Sequence, residues 1–299
     1  MKNILTLIAT MVLTVGMAHA QNSVENIQNG DQNDVIINQV GNNDAFIYQG
    51  DGWNYFYPRA DAEGTATNNS VNIDQTGSSL LYIGQGVEEG SSINSEIIAS
   101  QKGDSYADIF QGDFGDAENA YASVTQDGSN NTATMRQAQV GFAYDVDATI
   151  VQEGSGNWTS IMQGFGSSSV SDDNSASITQ EGDNNNSTTI YQGSRVAAAA
   201  PGTGAGTAEE NTATILIFGN NNGTNGGVRI YQGLNGGSAL NNTGYILQEG
   251  NLNNSIINQG VGNGMQSVGS EANSYQYSDN NMSTVNQNGE NNLANVTQD

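Results

Sequence analysis

The chain of 299 residues has no cysteine, two prolines, one histidine and six basic residues, and each shortage closes off a class of protein. Without cysteine there is no disulfide framework and no thiolate metal site. The one histidine, His19, lies in a segment that reads as a signal peptide, so imidazole catalysis is not expected of the rest. Thirty-one acidic residues set the formal net charge at -25, which repels phosphate and argues against nucleic acid and anionic membranes as partners. Apolar residues make up 35%, too few for a conventional oily core. After residue 20 no apolar run approaches the roughly eighteen residues of a membrane span, so no membrane insertion is expected. What the chain has instead is 42 Asn, 23 Gln and 38 Gly.

Residues 1–20 carry the marks of a secretory signal: Lys2, an apolar run from Ile4 to Val15, then Ala18-His19-Ala20 as a cleavage site. The expected mature chain, 21–299, is exported, with Arg59, Lys102, Arg136, Arg195 and Arg229 as its only bases.

One seven-residue arm recurs along the mature chain: Asn or Ser, any, apolar or small, any, apolar, any, Gln. Its terminal glutamines are Gln28, Gln39, Gln49, Gln75, Gln85, Gln101, Gln111, Gln126, Gln137, Gln152, Gln163, Gln180, Gln192, Gln232, Gln248, Gln259, Gln276, Gln287 and Gln298, and Ile217 fills a twentieth slot. Apolar residues two apart predict strands. The first arm of a pair ends Gln-x-Gly, at Gly41, Gly77, Gly103, Gly128, Gly154, Gly182 and Gly250, and its partner follows a few residues later, as across a tight glycine turn. Second arms end mostly in Gln followed directly by Gly, and a longer, variable connection leads onward. First-arm glutamines from Gln75 to Gln180 recur every 25 to 28 residues, the period of a solenoid. Inserts are expected near 50–68, 193–210 and 260–269.

The pattern predicts an all-β fold: a parallel β-solenoid of about ten strand-turn-strand rungs in two facing sheets, amyloid-like in its stacking. Like residues then lie above like. Positions such as Val71 and Ile73 fill a thin dry interior. The arm glutamines, with Asn33, Asn43, Asn69, Asn174 and Asn292, form amide ladders along the stack, the positions that the resemblance described below implies carry assembly. The arms begin within two residues of the expected cleavage site and run to Gln298 with no recognisable cap, so end-to-end addition of further copies is expected to propagate.

Ser or Asn, five residues, Gln-x-Gly, a short gap, Asn, five residues, Gln resembles the repeat of curlins, the subunits of bacterial curli amyloid fibres, over nearly all of residues 22–298. The resemblance implies a secreted fibre subunit at the bacterial cell surface that serves biofilm matrix and adhesion. It also implies nucleation by a related minor subunit, or partnership with a major one, and export through an outer-membrane pore. The chain departs from familiar curlins in having about twice their repeats and lacking the glycine-rich N-terminal segment that addresses the pore. Asn26 at an inward slot, Ile217 in place of a ladder Gln and Ser278 in place of a turn Gly are local irregularities.

Acidic residues gather in the connections (Glu88, Glu89, Asp113, Asp116, Glu118, Asp145, Asp147, Asp172, Asp173, Glu209, Glu210), where calcium binding competes with a plainer role in keeping the monomer soluble. The plainer role is favoured, since the glycine-aspartate nonapeptide of calcium-loaded β-helices is absent, and no metal or cofactor is expected. Outward positions Tyr48, Phe110, Met162, Tyr191 and Tyr231 suggest an external stripe or simple strand propensity. No nucleophile-base pair can be assembled, which points away from an enzyme. The alternative to a fibre subunit is a monomeric secreted adhesin or a carbohydrate- or ice-binding solenoid.

Overall fold

The structure is a computed structural model, and the residues it describes are 21–50, 64–87, 89–166, 169–194, 206–224 and 226–299. The expected signal peptide, 1–20, and the larger parts of two expected inserts, 51–63 and 195–205, lie outside them. The described residues form thirty strands, β1 to β30 in chain order, and no helix.

Each coil of the solenoid is a rung of three strands. The first is β1 (Ser23–Gln28), β2 (Gly30–Asp31) and β3 (Asp34–Gly41), and the last is β28 (Met282–Gln287), β29 (Gly289–Glu290) and β30 (Leu293–Gln298). Corresponding strands of successive rungs pair in parallel into three ten-stranded sheets: sheet 1 runs from β1 to β28, sheet 2 from β2 to β29, and sheet 3 from β3 to β30. Ten layers at about 4.8 Å make a rod roughly 48 Å long. The expected parallel β-solenoid is therefore present, with its two arm-built sheets as sheets 1 and 3. The number of sheets is corrected to three, because the connections after second arms extend over two or three residues and pair layer on layer as sheet 2. Each expected insert also ends in a strand of this sheet, namely β5 (Thr65–Thr67), β20 (Thr207–Glu209) and β26 (Gln266–Val268).

Register follows the sequence unit. Gln111 of β10 (Tyr106–Asp113) lies over Gln85 on one side and under Gln137 on the other, and Ile109 lies between Ile83 and Met135. A one-residue slip would turn this whole set outward, so the buried face fixes the register. Many arms give the core a small and a large apolar residue, such as Ala107 with Ile109 and Ala148 with Ile150, all four fully buried, while Ser or Thr fills an inward slot in others, as at Thr159 and Ser274. Stacking of identical shapes packs this narrow interior without large side chains.

The predicted turn glycines Gly41, Gly77, Gly103, Gly128, Gly154, Gly182 and Gly250 all have φ between 96° and 127°. They also stack on one another, and a Cβ on Gly128 would lie 1.9 Å from the carbonyl oxygen of Gly154. Glycine is required there twice over, for conformation and for space.

Candidate functional site

The arm glutamines point inward at the strand ends and form two columns. In sheet 1 the column is unbroken: each Nε2 donates to the Oε1 one layer on, from Gln28 through Gln49, Gln85, Gln111, Gln137, Gln163, Gln192, Gln232 and Gln259 to Gln287, at 2.7 to 3.0 Å. In sheet 3 it runs Gln39, Gln75, Gln101, Gln126, Gln152, Gln180 at 2.7 to 3.2 Å, and resumes as Gln248, Gln276, Gln298 at 2.7 and 2.8 Å. The glutamines from Gln49 to Gln276 in these columns are fully buried. A buried amide left unpaired costs about 1–3 kcal/mol, and the column meets that need for every interior member but one.

The exception flanks Ile217, on β21 (Thr212–Phe218), which pairs in register with Gln180 and Gln248. Gln180 turns its Nε2 to the hydroxyl of Thr188 at 2.7 Å. The Oε1 of Gln248, which residue 217 would have served, is buried without a partner.

Two asparagine columns brace the corners. The arm residues Asn33 and Asn69, and later Asn174, Asn211 and Asn242, accept the next layer's backbone N–H at Oδ1, at 2.8 to 3.2 Å. Their Nδ2 atoms donate to sheet 2 carbonyls at 2.7 to 3.1 Å. At the glycine turn, Asn43 and then Asn131, Asn157, Asn185, Asn222 and Asn253 do the same, and four of them grip the carbonyls of Gly154, Gly182, Gly219 and Gly250 at 2.8 to 3.0 Å. Asn292, in the last rung, bonds back to the carbonyl of Asn288 at 3.1 Å. Asn131, Asn157, Asn211, Asn242, Asn253 and Asn281 obey the six-residue offset from the arm's last position and were legible from it. Asn185 and Asn222 were not, because extra residues separate them from Gln192 and Gln232. Where Ala120 and Val146 interrupt the corner column, they join Ala117, Ala138 and Ala143 in a small apolar cluster instead.

Not every expectation about charge and aromatics survives. Asp113 is buried, not solvated: it and Asp108 share Arg136, whose guanidinium also stacks 4.5 Å over the ring of Phe110. Burial raises the carboxyls of Asp108 and Asp113 above the usual range despite the pull of Arg136, and one oxygen of each has no partner. Tyr48 and Phe110 are buried with Val87, so the proposed external stripe narrows to Met162, Tyr191 and Tyr231. In the connections, carboxylate oxygens of Asp145, Asp172 and Asp173 lie within 4.8 Å of one another. Partial burial, then repulsion from Asp173, Asp145 and Glu210, raises the carboxyl of Asp172.

The columns end at two faces. Among the described residues no strand pairs with the outer edges of β1, β2 and β3, or of β28, β29 and β30. Val24, Val35 and Ile37 at one face, and Ala294 and Val296 at the other, are only partly buried, whereas their counterparts inside the rod are fully enclosed. No protein-family model matches the chain, and no curated protein matches its sequence.

Proposed function

We propose that the chain is a secreted structural subunit whose copies join through their open faces into curli-like, amyloid-like extracellular fibres serving biofilm matrix and surface adhesion. The observation that supports this reading is the pair of faces on which, among the described residues, no further strand lies, so that ladder amides, strand edges and half-covered core residues offer a surface for another layer. An exposed strand edge is a template for pairing with another chain, and a stack that repeats its own layer offers that chain a matching surface. The chemistry is backbone pairing plus amide stacking, with no catalytic step. A related nucleating or major subunit and an outer-membrane export pore are partners that the curlin-like repeat suggests.

Incubation of purified residues 21–299, followed by thioflavin fluorescence and electron microscopy, tests the reading. Unbranched fibres with a meridional reflection near 4.8 Å are expected. Discrete monomers that persist at high concentration would overturn it. They would favour a ligand-binding solenoid, a reading supported by the hydroxyls of Ser123, Thr125, Thr149, Ser177, Thr179 and Thr214 on four adjacent rungs of sheet 3, at positions that alternate with the core residues.

A further inference from the structure

Three bases lie among the described residues, and two of them face carboxylates. Lys102 is 3.4 Å from Asp127, and Arg136 is shared by Asp108 and Asp113. Arg229 pairs with no carboxylate among the described residues, although the chain carries thirty-one acidic residues. Its partners are hydroxyls: Nη1 donates to the Oη of Tyr231 at 3.3 Å and Nη2 to the Oγ of Ser187 at 2.8 Å.

Strand alternation puts this guanidinium on the outside of the rod. In β22 (Val228–Leu234) the buried Val228 and Ile230 face the core, so Arg229 and Tyr231 face outward, each partly exposed. Register on β19 (Thr188–Ser194) sets Tyr191 beside Tyr231, with ring centroids 5.4 Å apart and an interplanar angle of 34°. Gly227, at φ 92°, lets the guanidinium fold back against the backbone that leads into the strand: a Cβ there would lie 2.3 Å from Nε. Nε itself is buried without a partner. One N–H on each terminal nitrogen is used, so a second on each remains to donate outward. Tyr231 and Ser187 accept from Arg229 and keep their own O–H groups to donate.

Donors gathered around a guanidinium that has no counter-ion are matched by an oxyanion. Two features narrow its class. The partly exposed rings of Tyr191 and Tyr231 present negative faces that attract C–H groups, as on one side of a pyranose. The net charge of -25 repels every negative charge a ligand brings, which sets a single carboxylate above a phosphate or a polyanion.

We propose that Arg229, Tyr231 and Ser187, with Tyr191 as a wall, bind the carboxylate of a sugar acid, a uronic acid carried singly on an otherwise neutral glycan. The carboxylate accepts from the guanidinium and the two hydroxyls, and the sugar ring lies on the tyrosines. The site faces sideways from the rod, so it does not depend on whether copies assemble. In an end-to-end fibre it would recur once per copy, about every 48 Å, and weak single contacts would sum to avidity.

Sodium D-glucuronate titrated into the purified chain at constant ionic strength, followed by saturation-transfer NMR of the sugar protons, tests the site. Saturable binding is expected. Methyl glucoside should bind about tenfold more weakly, and sodium sulfate should displace glucuronate only at about tenfold higher concentration. Arg229→Gln is expected to weaken glucuronate binding about tenfold or more. Ser187→Ala removes one partly exposed hydroxyl and leaves the core untouched, which guards against a folding defect in the first variant. It should weaken binding severalfold with the urea midpoint unchanged. Glucuronate that does not bind, methyl glucoside or sulfate that binds as tightly, or binding undiminished by both substitutions would overturn the site. None of these outcomes touches the fibre reading, which thioflavin fluorescence and microscopy judge separately.

Discussion

At Gln111 one carboxamide accepts from the layer before, donates to the layer after, and holds two backbone carbonyls within its own rung and its neighbour. Replacing it with Ile would copy the natural break at Ile217 and strand the Oε1 of Gln137, as that of Gln248 is stranded now. Gln111→Ile is expected to cost about 2 kcal/mol in urea unfolding. The reverse logic applies at Asn26, whose Oδ1 is buried without a partner in a column otherwise filled by residues such as Ile47 and Ile83. Asn26→Ile should raise stability by about 1 kcal/mol in the same assay. Backbone conformation sets a third case. The glycines after second-arm Gln have φ near that of Gly112, 70°, and a Cβ on Gly112 would lie 1.9 Å from the carbonyl oxygen of Ser91. Ala138 occupies the same place at φ 59°. Ala138→Gly is expected to raise the melting temperature by relieving roughly 1 kcal/mol of left-handed strain, whereas Gly112→Ala should lower it sharply.

At the scale of the element, β10 is unusual in carrying two buried carboxylates, Asp108 and Asp113, on one guanidinium. Both bind a proton more tightly in the folded chain than in the unfolded one, because burial disfavours their charge. Their contribution to stability therefore rises as the pH falls through their raised values. Below the ordinary value of 3.8 both states are protonated and the gain is complete. Arg136→Met removes the shared partner and should cost about 3–5 kcal/mol at neutral pH, with much of the loss regained in acid. Melting temperature followed against pH for both proteins checks the sign. The arms themselves were readable because alternation over seven residues specifies a strand, its inward face and, through the terminal Gln, its register. Sheet 2 was hidden because three residues, as in Thr65–Thr67 or Gln266–Val268, are too few to show a period. Its corner was equally silent in the apolar pattern. Asn68, Asn94 and Asn119 hold φ of 54°, 52° and 51° there, a conformation Asn adopts more readily than most residues. The Arg136 cluster could not be found from spacing, since Asp108 sits at an outward position that the strand rule assigns to solvent.

For the whole molecule the balance is between a repeating interior that favours addition and a surface charge that opposes it. The chain carries thirty-one acidic residues, and where they fall on stacked strands they place carboxylates over carboxylates, as at Asp172 over Glu209. Screening by salt shortens the reach of that repulsion, and mild acid removes part of it. The lag before thioflavin fluorescence rises is expected to shorten with added sodium chloride and with a shift from neutral to mildly acidic buffer. A lag indifferent to both would show that charge does not set the rate.

The common sense of the glutamine columns has an electrical side. Strand backbones contribute little net moment, since their dipoles alternate. Side-chain carboxamides aligned along one axis do not cancel, and each carries about 3.5 D, as a peptide unit does. The glutamine columns, taken alone, thus contribute a moment along the rod. Rods joined in a single sense would sum their moments with length, so that long assemblies would turn in a modest electric field and short fragments would not.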